Sequence, residues 1–465
     1  MKPGWEMVIG LEVHCELATK TKIFCGCRNE FGSEPNTNIC PVCLGLPGSL
    51  PVLNEEVVHL AMRLGMALGC SVEPSVFHRK NYFYPDMPKD YQVSQYDQPI
   101  NVDGRIDLAD GSSVGVERAH LEEDTGKSTH VGGGGRINEA ERSLIDYNRA
   151  GVPLVEVVSR PDVTSSDQAK AYVNELRAIL LATGASDAKM EEGSMRVDAN
   201  VSVRKPGEPL GTRCEIKNLN SIRSLGRAIE YEAERQIDVL ESGERIIQET
   251  RHWDEAGGRT RAGRSKEEAE DYRYFPEPDL VPLEPDEEWR NRVRDAMPIL
   301  PAARRERLTA VAPGSGVALV VERGLDELVL DAVAAGGDPG RLITHAEHNV
   351  LEIGALTPAS FAALSRLEKD GKLTATQAKT VLAELVSDGG DPDAIAKKHG
   401  FEALDAGDLA AVVDKLIAEN AKAFQKYKEG DQKIAGFFTG QVMKATQGKA
   451  DGKQVAALLQ ERAKG

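Results

Sequence analysis

Glutamate and histidine alternate with apolar residues in one stretch near the start of the chain, VIGLEVHCEL at residues 8–17. The odd-numbered residues are apolar, as in a half-buried strand, whereas Glu12, His14 and Glu16 point to the opposite face. A single polar strand face is most simply explained by exposure to solvent. Carboxylates with one imidazole, however, also suit magnesium or manganese better than zinc. The stretch by itself leaves both interpretations open.

Other acidic residues occur in similar alternating segments. These are Glu156 in PLVEVV, Asp198 in RVDANVSVR, Glu215 in RCEIK, and Glu122, Glu123 and Asp124 in HLEED. If the strands share one sheet, their polar faces form one acidic surface, which is destabilising unless divalent cations neutralise it. Several such faces together favour a cation site over simple exposure.

Four cysteines form a second candidate site: Cys25, Cys27, Cys40 and Cys43. They make a C-x-C and a C-x-x-C pair, joined by a loop rich in Gly, Pro and Asn, as in a closed tetrahedral zinc site. A closed site leaves no position for a substrate water, so we expect structural zinc. A redox pair and chance spacing are the alternatives.

Phosphate-binding loops are not recognisable. EEDTGKST ends like a P-loop, but the position that requires glycine is Leu121. GGGG at 132–135 is followed by Arg136 and is expected to be a loop. Any phosphate should therefore be held through a metal ion and scattered basic residues.

Aromatic and basic residues are interleaved in RKNYFYPDMPKDYQVSQYDQP, residues 79–99. Such a segment can stack unpaired bases and pair with their phosphates. A small satellite core under a long loop would have the same composition.

The surrounding patterns predict the architecture. Helices are expected at 54–69, 165–183 and 221–242, among strands that include 153–158, 196–204 and 213–217. We expect an α+β domain with a largely antiparallel sheet over residues 1–293. No strand pattern follows, so a helical domain is expected at 294–400 and a smaller helical tail at 401–465.

Composition limits the class of protein. The chain has 465 residues and a formal net charge of −17, which argues against nonspecific coating of nucleic acid. No signal peptide or membrane-length apolar run is visible, so we expect a cytoplasmic protein. The tail differs, because residues 401–465 contain ten Lys and Arg against nine Asp and Glu. Its lysines, including Lys426, Lys433 and Lys444, form either a solvated face or a local contact with a polyanion.

Seven motifs together resemble one protein family. They are IGLEVHCEL, RKNYFYPDMPKDYQVSQYDQPI, HLEEDTGKSTH, DYNRAGVPLVEVVSRPD, KMEEGSMRVDANVSVR, EIKNLNS and DYRYFPEPDLVPL. Over essentially its whole length the chain is similar to the B subunits of aspartyl/glutamyl-tRNA amidotransferases, in their bacterial form with a zinc site. The resemblance implies a glutamine-synthetase-like cradle domain, a helical domain and a small YqeY-like tail.

The implied reaction is ATP-dependent amidation of glutamate on tRNA(Gln) or aspartate on tRNA(Asn), through an acyl phosphate. Mg²⁺ must screen the substrate carboxylate from the triphosphate. We expect Glu12, His14, Glu123 and Glu156 as its ligands, with Glu122, Asp124 and Asp198 as alternates. We expect Lys80 to meet phosphate, and Arg79, Lys80, Tyr82 and Phe83 to receive the acylated 3′ end.

Ammonia must come from elsewhere, since no amidase nucleophile is recognisable. The resemblance implies a heterotrimer that also contains a separate amidase, the A subunit, with a small C subunit. It implies in addition that the tail grips tRNA. Two other functions stay open: a freestanding ligase that uses dissolved ammonia, and a noncatalytic tRNA-binding scaffold.

Overall fold

The computed structural model describes residues 2–132, 140–265, 269–401, 406–429, 433–446, 450 and 452–464. The chain divides into two compact units, Met1–Ala302 and Ala303–Gly465. The predicted loop glycines at 133–135 and Lys449 lie outside the described residues. The side chains of Lys433 and Lys453 also lie outside the described part.

Strands dominate the first unit. Its described strands are β1 (Glu6–Glu16), β2 (Ser71–Val72), β3 (Phe77–Asn81), β4 (Tyr91–Gln95), β5 (Asn101–Asp107), β6 (Ser113–Glu123), β7 (Lys127–Val131), β8 (Arg142–Asp146), β9 (Pro153–Ser159), β10 (Met195–Arg204), β11 (Cys214–Leu219), β12 (Glu249–Asp254), β13 (Arg259–Ser265) and β14 (Phe275–Pro276).

One 12-stranded sheet runs in the order β13-β12-β11-β10-β1-β9-β6-β4-β3-β14, with β5 also paired to β6 and β2 paired to β5. Only β11 and β12 are parallel among the described pairs. Strands β7 and β8 form a separate hairpin. The predicted largely antiparallel sheet is therefore confirmed.

Among the described residues of the first unit, four α-helices accompany this sheet: α1 (Glu55–Ala67), α2 (Ser166–Thr183), α3 (Ile222–Glu241) and α4 (Glu287–Asp295). The first three begin after Asn54, Ser165 and Ser221, whose side chains accept hydrogen bonds from first-turn backbone N–H groups. All three predicted helices are confirmed.

The helices pack against one face of the sheet. Apolar side chains of β1 such as Ile9 and Val13 lie in this core with Tyr172 of α2 and Ile229 of α3, and all four are fully buried. Because side chains alternate along a strand, Glu12 and His14 project to the other face. Packing of the apolar face thus fixes the polar face as the surface available for chemistry.

The aromatic segment is a hairpin rather than a long loop. β3 pairs with β4, and only residues 82–90 form the connection between them. Gly126 N donates to Asp86 O, and the Tyr147 hydroxyl donates to Pro85 O, so this connection is attached to the base of the β7–β8 hairpin.

Only helices occur in the described part of the second unit. They are α5 (Pro301–Val311, which starts two residues before the unit), α6 (Val317–Glu322), α7 (Asp326–Ala334), α8 (Pro339–His348), α9 (Pro358–Lys369), α10 (Ala375–Asp388), α11 (Pro392–Lys398), α12 (Ala406–Glu419), α13 (Ala421–Lys428), α14 (Lys433–Ala445) and α15 (Gly452–Lys464). Within the described residues, no helix is both long and apolar enough to cross a membrane.

Two separate apolar clusters lie in these helices, one from Leu308 to Ala396 and one from Leu409 to Leu459. The domain boundary that we predicted at residue 293 falls within α4, whose Val293 belongs to the core of the first unit. The three-part division of the chain stays a prediction.

Candidate active site

Four neighbouring strands bring the predicted acidic residues together. In the order β10-β1-β9-β6, Glu12 on β1 lies opposite Asp198 on β10. His14 on β1 lies opposite Glu156 on β9, which in turn lies opposite His120 on β6. Directly opposed residues project to the same face, so the polar face of β1 continues across all four strands.

This face lines a cavity of about 340 Å³. The lining residues are Glu12, His14, Lys80, Ser94, Gln95, Tyr96, Arg118, His120, Glu122, Glu156, Glu215, Lys217, Thr250, Tyr272 and Tyr274. The cavity therefore combines carboxylates and imidazoles with cationic and aromatic side chains.

His14 lies between two sets of carboxylates. Its Nδ1 atom is 3.6 Å from Glu122 Oε1 and 4.0 Å from Glu156 Oε2. Its Nε2 atom is 3.8 Å from Asp198 Oδ2. On the first side, His120 Nε2 adds contacts of 3.8 Å to Glu122 and 3.4 Å to Glu156.

These charges set the protonation of the metal-free cavity. Burial by itself lowers the pKa of His14, but the carboxylates of Glu156, Glu122 and Asp198 raise it to about 9. Burial acts to raise the pKa of Glu122, but hydrogen bonds from His120 and His14 hold it well below its usual range. In the metal-free cavity, His14 is thus protonated beside an ionised Glu122.

The donor atoms suit a divalent cation. Two groups bring one ligand atom from each residue within 4.8 Å of one another: Glu12, His14 and Asp198, and His14, Glu122 and Glu156. Carboxylate oxygens with one imidazole nitrogen are donors that Mg²⁺ or Mn²⁺ accepts. Glu12, His14, Glu156 and the alternates Glu122 and Asp198 therefore lie close together, and their role as metal ligands stays a prediction.

Glu123 is placed elsewhere. Adjacent residues of β6 face opposite sides of the sheet, so Glu123 turns away from the cavity that Glu122 lines. Its side chain forms an ion pair with Lys89 and accepts from Val93 N at 2.8 Å. The expected ligand set is corrected here, because the geometry gives Glu122 the position that we predicted for Glu123.

Asp124 also lies outside the cavity and forms ion pairs with arginines. It follows β6 and accepts from Arg196 Nη2 at 2.8 Å, with Arg149 Nε at 3.6 Å. The charges of these two arginines, against the effect of burial, lower the pKa of Asp124. It does not line the cavity, so the structure does not support its place among the alternate ligands.

The four residues that we predicted to receive the acylated 3′ end do not all face the cavity. Lys80 lines the cavity, with Nζ 4.8 Å from the centre of the Tyr272 ring. Arg79 faces the other side of the hairpin, where it forms a two-point ion pair with Glu277 and lies over Tyr91. Tyr82 packs edge-on to Tyr84 and Tyr272, and Phe83 is 75% exposed. Only Lys80 of the four reaches the acidic cavity.

The four predicted cysteine ligands form a cluster apart from the cavity. Their Sγ atoms lie within 4.8 Å of one another, close enough to hold a metal ion. A hydrogen bond with Cys25, the Cys40 backbone and nearby Lys22 together lower the pKa of Cys43 to about 5, although burial opposes this. Thiolate is the form that binds zinc.

The loop between the two cysteine pairs is bonded to residues 145–148. Asn36 Nδ2 donates to Ile145 O, Tyr147 N donates to Asn36 Oδ1, and Asn148 Nδ2 donates to Glu34 O, at 3.0, 2.8 and 2.7 Å. The cysteine cluster thus holds a segment that leads directly into β9, the strand of Glu156.

Sequence reasoning assigned no role to several cavity residues. His120 precedes Glu122 by two positions in HLEED, and a period of two would have placed both on one face. Lys217 follows Glu215 in the same way. Tyr272 and Tyr274 come from DYRYFPEPDLVPL, nearly 200 residues from Lys80, and no local signal connects these tyrosines with the site.

Comparison with known proteins identifies related domains and relatives. The family model described as the GatB/GatE catalytic domain matches residues 7–291, and one described as the GatB domain matches residues 340–462. All the polar side chains that line the cavity lie within the first match.

Three relatives are each named as the B subunit of an aspartyl/glutamyl-tRNA(Asn/Gln) amidotransferase. That of Salinispora arenicola is 48% identical, over 99% of this chain and 97% of its own. Those of Carboxydothermus hydrogenoformans and Thermobifida fusca are each 47% identical, over 98% and 99% of this chain and 98% and 94% of their own. Because identity of this degree extends over nearly the full length, the chain belongs to the family of amidotransferase B subunits that share the GatB/GatE catalytic domain.

Proposed function

We propose that this chain is the subunit of a tRNA-dependent amidotransferase in which the side-chain carboxylate of glutamate or aspartate, attached to tRNA(Gln) or tRNA(Asn), is activated by ATP and then amidated. The observation that carries the proposal is the cavity in which carboxylates, two histidines and two lysines converge. A site of this kind can hold both a divalent cation and the phosphates of a nucleotide.

A carboxylate does not react with ammonia, because it repels nucleophiles and oxide is a very poor leaving group. Phosphorylation by ATP converts that oxygen into a phosphate leaving group. Mg²⁺, when bound, would screen the charges of the carboxylate and triphosphate. Glu12, His14, Glu122 and Glu156 would hold it.

The surrounding residues would position the substrates. Lys80 is available to phosphate, and Tyr82 and the exposed Phe83 can stack against the bases of the acylated 3′ end. Lysines of the tail, including Lys426, Lys433 and Lys444, would contact other phosphates of the tRNA.

The remaining parts of the proposal follow from family membership. Relatives are named as B subunits, and we propose that this chain works in a cytoplasmic heterotrimer, with a glutaminase, the A subunit, to supply ammonia and with a small C subunit. The proposal includes a glutamine-synthetase-like cradle over residues 1–293, a helical domain over 294–400, and a YqeY-like tail over 401–465. It also assigns structural zinc to the four-cysteine cluster.

ATP hydrolysis that depends on mischarged tRNA tests the function. We expect phosphate release when the complete complex receives ATP, Mg²⁺ and Glu-tRNA(Gln) or Asp-tRNA(Asn), and very little with correctly charged Gln-tRNA(Gln). Amidation of free glutamate by the isolated chain would favour a freestanding ligase. Tight tRNA binding with no ATP cleavage under any of these conditions would favour a noncatalytic scaffold.

A further inference from the structure

Lys217 is held inside the cavity by two carboxylates. Its Nζ atom lies 2.7 Å from Asp198 Oδ2 and 3.3 Å from Glu215 Oε1. An ammonium group has three N–H donors, so these contacts leave one for a ligand. Its neighbour Asp198 is only 9% exposed, whereas the side chain of Lys217 lines the cavity and is 39% exposed, so a ligand can reach it.

The register of β11 beside β10 places Lys217 at this position. Asn200 pairs with Glu215 and Ala199 pairs with Ile216, so the next residues in register are Asp198 and Lys217, and Lys217 shares the face of Glu215. The pairing becomes irregular only beyond this point, where Asn218 adopts φ 67° and Val197 pairs with Leu219.

The ion pair also gives the two sides of the His14 ring different charges. Asp198 is already neutralised by Lys217, and Glu12 accepts from Asn200 Nδ2 at 2.9 Å. On the other side of the ring, His14 Nδ1 faces Glu122 and Glu156, at 3.6 and 4.0 Å. The Nδ1 side is therefore the better position for a divalent cation, and the Asp198 side already contains a cation, Lys217.

The other basic residues of the cavity are less suited to a reacting phosphoryl group. Lys80 lies against the face of Tyr272, and Arg118 Nη1 is paired with Glu117 at 3.1 Å. Neither is fixed by two carboxylates, as Lys217 is.

We propose that Lys217 is a catalytic residue that binds the phosphoryl group transferred from ATP, and that Asp198 and Glu215 position it rather than bind the metal ion. This inference rests on the function proposed above. In the step, an oxygen of the substrate carboxylate attacks the γ-phosphorus and forms a new P–O bond. The bond from that phosphorus to the β–γ bridging oxygen breaks, and ADP leaves with its electron pair. Lys217 keeps its protons and stabilises charge on the transferring oxygens.

The test compares Lys217→Met with Glu156→Gln in the full-length chain. We expect Lys217→Met to lower kcat for tRNA-dependent ATP cleavage in the complete complex by about 100-fold, as for loss of one donor to a transition-state charge. Its affinity for Mn²⁺ should be unchanged or higher, because a positive charge has left an acidic cavity. Glu156→Gln should instead weaken Mn²⁺ binding by roughly 10-fold or more.

Controls separate this role from a structural one. Lys217→Arg should recover part of kcat, and Lys205→Met, an exposed lysine beyond the end of β10, should behave like the wild type. If Lys217→Met does not unfold cooperatively, the double variant Lys217→Met with Asp198→Asn, which removes both charges, replaces it.

Normal kcat in the folded Lys217→Met variant would overturn the proposal, as would a loss of Mn²⁺ affinity equal to that of Glu156→Gln. A wild-type complex that cleaves no ATP with mischarged tRNA would instead contradict the proposed function itself. The wild-type control therefore distinguishes the two failures.

Discussion

His14 shows how single residues of the cavity respond to one another. Its carboxylate neighbours hold the ring protonated in the metal-free protein, with a pKa of about 9 against 6.5 in an unfolded chain. A pKa raised on folding contributes stability that is complete below the unfolded pKa of 6.5. That contribution is lost as the pH rises through about 9. A metal ion that binds His14 would have to displace the same proton.

The first prediction is therefore a pH-dependent cation affinity. Mn²⁺ binding to the full-length chain should strengthen by roughly tenfold per pH unit below the pKa of His14, and titrations at about pH 6.5 and 8 measure this. His14→Gln should weaken binding and remove most of the pH dependence. Equal Mn²⁺ affinities of the wild type at the two pH values would contradict the assignment of His14 as a ligand.

The second prediction compares the same Glu→Gln substitution on two neighbouring strands, β9 and β6. Glu156→Gln should reduce Mn²⁺ affinity by roughly 10-fold or more, while Glu123→Gln should leave it within about threefold. Glu123→Gln should instead lower thermal stability, because the side chain of Lys89 is only 9% exposed and loses its charged partner. A larger loss of Mn²⁺ affinity in Glu123→Gln than in Glu156→Gln would reverse our placement of the cation.

At the scale of elements, the cysteine cluster acts through the loop it closes. The intervening loop is bonded to residues 145–148, and Ile23 N donates to Gly151 O at 3.0 Å just before β9. Loss of metal should therefore loosen a segment next to the active site without removing any strand of the main sheet.

The third prediction concerns this metal. Elemental analysis of the purified chain should find about one zinc per chain, and the double variant Cys25→Ser with Cys40→Ser should lose it. The variant should unfold at a lower temperature and still bind Mn²⁺ in the cold. Cys214→Ser, which changes a single buried cysteine on β11, should retain zinc. Native protein without metal would refute the zinc assignment.

At the scale of the whole molecule, charge is unevenly distributed along the chain. Residues 401–465 have a net charge of +1 and the rest of the chain −18, from ten Lys and Arg against nine Asp and Glu in a total of −17. The tail has an apolar cluster of its own between Leu409 and Leu459. Lys426 and Lys444 are exposed, so they can be changed without disturbing that cluster.

The fourth prediction is that the tail contributes salt-dependent tRNA affinity. Lys426→Gln with Lys444→Gln should weaken tRNA binding by the assembled complex and reduce its salt slope by about one unit for each lost phosphate contact. Glutamine hydrolysis should persist. Lys398→Gln, outside the tail, is the matched control. An unchanged affinity and salt slope would show that these two lysines make no phosphate contact.

Much of this architecture follows from local sequence patterns. The alternation in VIGLEVHCEL and RVDANVSVR determines which side chains share a face, because successive side chains along a strand point to opposite faces of the sheet. Asn54, Ser165 and Ser221 determine where helices begin, because their side chains satisfy backbone N–H groups of the first turn. The two cysteine pairs likewise predicted the cluster, because each pair is closely spaced and a single loop joins them.

The tertiary structure alone decided which faces meet. Glu12 and Asp198 are opposed because β1 pairs with β10, and Glu122 rather than Glu123 lines the cavity because of the register of β6 beside β9. Lys217 likewise meets Asp198 only because β11 pairs with β10 in the register that puts Ile216 opposite Ala199. Pairing between strands distant in sequence depends on packing across the whole sheet, and a shift of one residue would exchange the two faces. Local sequence therefore determined which residues could take part in the site, while strand order and register decided which of them meet.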